Sequence, residues 1–297
     1  MRHIWRSWPG RIGSVIIAGA VLVAVLSFVW QPYDPAKTTP RDRWLPMSTK
    51  HWFGTDAGGK DLFTQVLVGS RTTLLVALLS VLIAAVIGLT LGIASAITPR
   101  WVGEGIAHII DVLIALPTLV LALVLVAALK GSLGTVSLAI GFGSGVVLAR
   151  VVRAEVARVM TNDYMLAADS SGSSTWRTVW RHIVPNIAPT VVVQLSLIAA
   201  LAVLAEAALS FLGLTPVSRP SWGRMIQGLQ ATVTVHPRAI VFPGLAVVLV
   251  TLGFNLLGDG LRDAIDPRLR GRSAGSPVFT AVIEADDAAR EHVGGAS

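Results

Sequence analysis

The residues from Gly54 to Asp61 read GTDAGGKD and satisfy the spacing G-x-x-x-x-G-K that opens a phosphate-binding loop. In such a loop the backbone N–H groups cradle phosphate, and a Ser or Thr after the lysine holds magnesium. Here that position is Asp61, whose carboxylate repels phosphate, and no buried apolar strand leads into the loop. The stretch therefore predicts no nucleotide site. Six histidines (His3, His51, His108, His182, His236 and His292) form no H-E-x-x-H or other metal-ligand spacing, and no G-x-S-x-G elbow is present. The absence of cysteine excludes thiol chemistry and disulfides. What remains is ionisable residues in apolar surroundings. Asp111 shares a helical face with His108 and Glu104, Glu206 sits inside LAVLAEAALSFLGL, and Asp259 ends another apolar run. Carboxylates within membrane segments are candidates for function by default. Asp111 and Asp259 are expected at a water interface. Glu206 is expected to hydrogen-bond or gate rather than relay protons, and Glu206 and Asp111 are the candidate gating or translocation positions.

The elements that must position these groups are apolar. Of 297 residues, 53% are hydrophobic and 14% charged, against about 25% charged in soluble domains. A helix needs roughly 20 apolar residues to cross a bilayer. Six runs qualify, near 14–30, 72–97, 104–129, 133–149, 187–213 and 239–258. The fold class expected is an all-α polytopic membrane protein with six transmembrane helices. The first run follows a basic head without a small-x-small cleavage site and reads as an uncleaved signal anchor. The first and fourth runs are short. Pro117 should kink the third. Ala84, Gly88, Gly92 and Ala96 recur every fourth residue in the second run, as do Gly141, Gly145 and Ala149 in the fourth. That spacing suits close helix packing in lipid. With the N-terminus inside, 14 Lys and Arg fall in cytoplasmic segments against 10 outside, which favours cytoplasmic N- and C-termini. The residues divide into 1–71 (head, anchor and outer loop), a core over 72–270, and a tail at 271–297 whose composition predicts disorder.

Between the fourth and fifth runs lies DYMLAADSSGSSTWRTVWRHIVPN, residues 163–186, on the cytoplasmic side of this topology. Thr161 or Asn162 can cap a short helix on which Tyr164, Ala167, Ala168 and Ser171 form a small face open to another surface. Gly172 is a natural stop. Ser173 or Ser174 can cap a second helix with Trp176, Val179, Trp180 and Ile183 on one apolar stripe. Arg177 and Arg181 lie off that stripe, and Pro185 is expected to end the helix.

The stretch LAADSSG…HIVP resembles the EAA loop of ABC importer permeases. Ala167, Ala168 and Gly172 stand in the motif positions, with Pro185 thirteen residues after Gly172. HWFGTDAGGKDLFTQVLVGSR, LSFLGLTPVSRPSWGRMI and FPGLAVVLVTLGFNLLGDGLRDAIDPRLR resemble the C-type permease subunit of the peptide/nickel importer family. The resemblance covers about 51–270. It implies a type I ABC importer permease architecture in the bacterial plasma membrane, paired with a second homologous permease subunit. Two cytoplasmic ABC ATPase subunits carrying ATP and magnesium and an external substrate-binding protein complete the implied assembly. No catalytic residue, cofactor or metal belongs to this chain on that reading. It makes 161–186 the ATPase-coupling loop, with Tyr164, Ala167, Ala168, Asp169, Gly172, Arg177, Arg181, His182 and Pro185 as its site residues. The sequence departs from the motif at Leu166, where the family carries Glu; Asp169 offers a carboxylate three residues later. The implied cargo is a peptide, favoured by the lack of a His/Met/Cys cluster. Nickel or glutathione within the same family is the alternative, and a proton-coupled secondary transporter is the more distant one.

Overall fold

The structure is a computed structural model that describes residues 7–129, 131–161, 175–215 and 219–265. Helix α1 (Trp8–Val29) starts where the Ser7 hydroxyl accepts the Gly10 N–H and Pro9 occupies the first turn, whose N–H would be unpaired in any case. An irregular segment then leads to α2 (Leu62–Ile97), which has 36 residues. Helices α3 (Arg100–Ile114) and α4 (Thr118–Ala128) meet at 83°. After α5 (Leu133–Met160) come α6 (Trp176–Phe211), the short α7 (Trp222–Leu229) and α8 (Pro237–Ile265). Five of these helices are long and apolar enough to cross a membrane, or six where the bent pair α3–α4 counts as one broken span.

Pro117 does more than kink its run. It lacks the N–H that would continue α3, and it pushes the residue before it away from helical geometry. The chain breaks at 115–117 and restarts at Thr118 with Pro117 as its cap.

Two apolar runs understate their helices. The fourth ends near residue 149, yet α5 continues to Met160 because Val152, Val156 and Val159 remain on a buried face, with Arg153 half-buried and Arg158 exposed beside them. The second begins near residue 72, yet α2 starts at Leu62, so the expected border at 71/72 falls inside one continuous helix.

The small-residue stripes of α2 and α5 face each other. A Cβ at Gly88 would lie 2.6 Å from Leu148, at Gly92 2.6 Å from Val152, at Gly141 2.7 Å from Ile83, and at Gly145 2.9 Å from Ile87. Each glycine removes the atom that would hold the two helices apart. This is how small residues bring helices together where lipid supplies no hydrophobic drive. Below the seam, Val152, Val156 and Val159 of α5 join Val179, Ile183, Ile187 and Val191 of α6 in one buried cluster.

The expected stop at Pro185 does not occur. Residues Val179–Ile183 form a π turn in which the Val184 N–H reaches the Val179 carbonyl, and the helix runs on through Pro185 into the span. A wider turn ahead of the proline relieves the clash between its ring and the carbonyl of the preceding turn, which in a regular helix kinks or breaks the element. The second helix of the 163–186 stretch is therefore the extension of α6. Its expected stripe also divides: Val179 and Ile183 are buried, whereas Trp176 and Trp180 are exposed and pack edge-on at 5.5 Å.

Candidate functional site

Two regions gather the polar groups that an apolar bundle must accommodate. The first surrounds Glu206, which is fully buried in α6 five residues before the helix ends. The Thr73 hydroxyl of α2 donates to its Oε2 at 3.0 Å, and the Ser210 hydroxyl one turn on donates to its Oε1 at 2.6 Å. Ser210 in turn accepts from Thr215 at 3.0 Å and from Ser221 at 3.1 Å. Ser221 also caps α7 by accepting the Arg224 N–H. One carboxylate thus ties together α2, α6, the turn after α6 and the start of α7. Burying it costs free energy unless such donors converge on it. Next to this network the Trp222 indole N–H donates to the Val66 carbonyl at 2.9 Å, and a Cβ at Gly223 would lie 2.3 Å from the Ala207 carbonyl oxygen. Helix α7 is consequently clamped against the ends of α2 and α6.

The segment 31–61 packs at the same end. Asp61 caps α2, its Oδ2 accepting the Thr64 N–H and hydroxyl at 2.7 Å each, while its Oδ1 meets His51 Nδ1 at 2.9 Å. Asp56 Oδ1 accepts the N–H groups of Gly58 and Lys60 at 2.8 and 2.9 Å, and its Oδ2 accepts from Gln65. The loop's inward N–H groups are therefore filled by the chain's own carboxylate, which a phosphate would have to displace. Gly59 has φ +74°, and a Cβ there would meet the Thr39 carbonyl oxygen at 1.9 Å, so the glycines of GTDAGGKD serve close backbone packing. Stacked rings, Trp44 on His236 at 4.0 Å and Phe53 on Phe242 at 4.1 Å, fasten this segment to the start of α8.

The second region is the opposite end of α5 and α6, where the 161–186 stretch begins and ends. Tyr164, Ala167, Ala168, Asp169 and Gly172 lie outside the described residues. Of the others, Arg177, Arg181 and Pro185 are exposed, and His182 is half-buried at the start of α6. Asp111 is not buried. It pairs with Arg150 of α5 across the surface, while His108 Nδ1 contacts the Glu104 carbonyl on the same exposed face of α3. Asp259 is likewise exposed. Glu206 and Asp111 therefore belong to different environments and share no contact. The sequence reading passed over the hydroxyls around Glu206. Ser210 was legible as a serine one turn away, but Thr73 lies 133 residues distant and is recognisable only in space.

Residues 88–271 match the family described as binding-protein-dependent transport system inner membrane component. The chain belongs to that family. The permease is 36% identical to the dipeptide transport system permease protein DppC of Alkalihalophilus pseudofirmus, over 87% of this chain and 86% of that one. It is 34% identical to the glutathione transport system permease protein GsiD of Pectobacterium atrosepticum, over 91% of both. A solved chain of the MetNI methionine ABC transporter, in inward facing conformations, superposes with a TM-score of 0.57 over 69% of this permease and 98% of that chain. At 18% identity this likeness concerns the fold alone. It agrees with the type I importer architecture, and the apolar helices place the permease in the inner membrane as a multi-pass protein.

Proposed function

We propose that this permease is one of two membrane subunits of an ATP-driven peptide importer. A second, homologous permease forms the other half of the path. Two cytoplasmic ATPase subunits hold ATP and magnesium, an external binding protein delivers the peptide, and this chain has no ATPase site of its own. The observation that carries the reading is similarity to a permease named for dipeptide transport over 87% of this chain and 86% of that one. The similarity to a glutathione permease favours a second reading of cargo. Glutathione is itself a tripeptide, so both readings fall within one chemical class.

In this reading both termini are cytoplasmic, and 31–61 and the region around Arg219 lie outside. Tyr164, Ala167, Ala168, Asp169 and Gly172 dock the ATPase, with Arg177, Arg181, His182 and Pro185 at the adjoining helix start. The loop joins α5 to α6, and these helices share the cluster of Val152, Val156, Val159, Val179 and Ile183. A push on the loop therefore reaches two spans together. Glu206 holds the far end of α6 to α2 and α7, where such a movement alters outward access, and the Asp111–Arg150 pair adjusts α3 against α5.

The test is purification of the assembled importer with its binding protein, identification of the bound ligand, and uptake by vesicles containing the complex. ATP-dependent uptake of a di- or oligopeptide is expected. Uptake abolished by an uncoupler but indifferent to ATP would overturn the reading, and competition by glutathione alone would select the second cargo. Single cysteines at positions 37 and 219 should react with an impermeant reagent in intact cells, whereas one at 177 should not. The native chain has no cysteine to interfere.

A further inference from the structure

An apolar groove of about 770 Å³ runs between α1, α2, α6 and α8. Its walls are side chains such as Ile17, Val21, Leu78, Val81, Leu195 and Phe254, and polar groups enter mainly at one end, where Arg71, Thr72 and Arg219 line it. Along α1 the lining runs from Ile17 to Phe28, about 16 Å at 1.5 Å per residue. That is close to half of the roughly 30 Å hydrocarbon core. The groove is thus at least one leaflet deep, its α8 wall continuing to Leu261.

The polar end lies at the depth where a lipid headgroup belongs. Arg71 donates to the hydroxyl and the carbonyl of Ser27, in the last turn of α1, and its guanidinium sits 4.1 Å from the centre of the Phe28 ring. Just beyond, Trp30, Trp52 and Phe63 form an aromatic cluster, the composition that marks a membrane–water interface. At Arg219 and Pro220 the apolar groove continues into a second one of about 570 Å³, lined also by Lys60, Arg224 and Gln227. Arg224 donates to Gln227 Oε1 at 2.7 Å. Asp56 is the one carboxylate lining this second groove, and Gly58, Lys60 and Gln65 already hold it through their N–H groups. Among the described residues no carboxylate pairs with Arg71, Arg219, Arg224 or Lys60.

An apolar slot at least one leaflet deep that opens onto cations without acidic partners matches an amphiphile with a negative head. We propose that the paired grooves bind an anionic phospholipid from the leaflet on the side of residues 31–61. One of its two acyl chains lies along Val21, Leu78 and Phe254, the other lies in the surrounding bilayer, and its phosphate lies between Arg71 and Arg219. The inference needs the chain to be embedded in a membrane and does not depend on what the importer carries.

The experiment is native mass spectrometry of the full chain, purified with the subunits that assemble with it, after exchange against equimolar phosphatidylglycerol and phosphatidylcholine. Phosphatidylglycerol should be retained in preference. Arg219→Gln should lower its retention about fivefold, the effect expected of one basic residue at an anionic surface. Arg71 also joins α1 to α2, so Arg219, which is exposed, provides the variant that leaves folding undisturbed. Val21→Trp should remove retention of both lipids by filling the slot. Equal retention of the two lipids would overturn the proposal, as would phosphatidylglycerol retention indifferent to Arg219→Gln. A cysteine at position 78 that cross-links to another membrane subunit in native membranes would also overturn it, because the groove would then be a subunit interface.

Discussion

If the α2–α5 seam depends on missing side-chain atoms, restoring one atom at Gly92 should open it. An alanine Cβ there would lie 2.6 Å from the Val152 Cβ and 2.7 Å from the Ala149 carbonyl oxygen. Neither neighbour is the free end of a flexible chain, so rotamer changes give no relief. Ordinary contact begins near 3.4 Å, and the helices must therefore part by about 0.8 Å at this turn. A gap of 0.5–1 Å forfeits about a quarter to a half of each dispersion contact along the seam, and overpacking of this kind costs about 1–3 kcal/mol. At about 2–4 °C per kcal/mol for a chain of this size, Gly92→Ala should lower the unfolding midpoint in nanodiscs by roughly 2–12 °C. Gly105→Ala is the control, since a Cβ there meets nothing within 4 Å. The better helix propensity of alanine should leave it neutral or up to about 1 kcal/mol more stable. Gly88→Ala, one turn from Gly92 and 2.6 Å from Leu148, should cost a similar amount. The double variant should cost less than the sum, because parting the helices at one site relieves the other. Equal midpoints for Gly92→Ala and Gly105→Ala, measured by heating followed by size-exclusion chromatography, would refute the close seam.

Three further outcomes follow from the sites. Thr73→Val removes one interhelical donor to Glu206 and should cost about 0.6–1.7 kcal/mol; Ser221→Ala also deletes the α7 cap and should cost about 1 kcal/mol more, an order that thermal unfolding can check. Lys60→Ala should leave nucleotide binding by the assembled importer unchanged, whereas Asp56→Ala, which unpairs the Gly58 and Lys60 N–H groups, should increase proteolysis of residues 54–61 in intact cells. Gly172→Trp and Ala167→Asp should leave membrane insertion intact but reduce co-purification of the ATPase; if Asp169 substitutes for the family's Glu, Asp169→Ala should weaken it and Leu166→Glu should partly restore it, and unchanged co-purification in the first two would remove the docking role from this stretch.

Most of the architecture was legible because the membrane simplifies the code. Apolar length marked the spans, the four-residue recurrence of small side chains marked α2 and α5 as closely packed, and Pro117 marked a kink where the structure has a break. The boundaries were harder to read, for a physical reason. Residues 150–160 alternate arginines with buried valines, so mean apolarity falls while the helical face continues, and α5 outlasts its run. Pro185 was read as a stop because a regular helix cannot accommodate it cheaply, but a π turn over Val179–Ile183 can. Such local adjustments depend on what packs around the turn, here the buried cluster that fixes Val179 and Ile183. The site was half legible: Glu206 stood out as a carboxylate in an apolar run, but its donors come from α2, a turn and α7, and no spacing in the chain connects them.

The continuity of α6 changes how coupling can work. Had Pro185 ended a separate surface helix, a push on the 161–186 stretch would have met a hinge before reaching the span. With the helix unbroken from Trp176 to Phe211, displacement at one end is carried over about 54 Å at 1.5 Å per residue. The fully buried Glu206 sits near the far end of that rod, where its carboxylate accepts from α2 and, through Ser210, engages the cap of α7. The bonds that leave α6 for other helices are Thr73 to Glu206 at 3.0 Å and Ser221 to Ser210 at 3.1 Å, so a shift of about 1 Å along α6 would stretch both beyond hydrogen-bonding range. A buried carboxylate loses much by such stretching, and the network therefore resists sliding until its members move together. The Trp222–Val66 bond and the Gly223–Ala207 contact carry α7 along with α2 and α6. Movement imposed on the 161–186 stretch would thus be expressed at the opposite end of the bundle as displacement of α7 and the polar groove beside it.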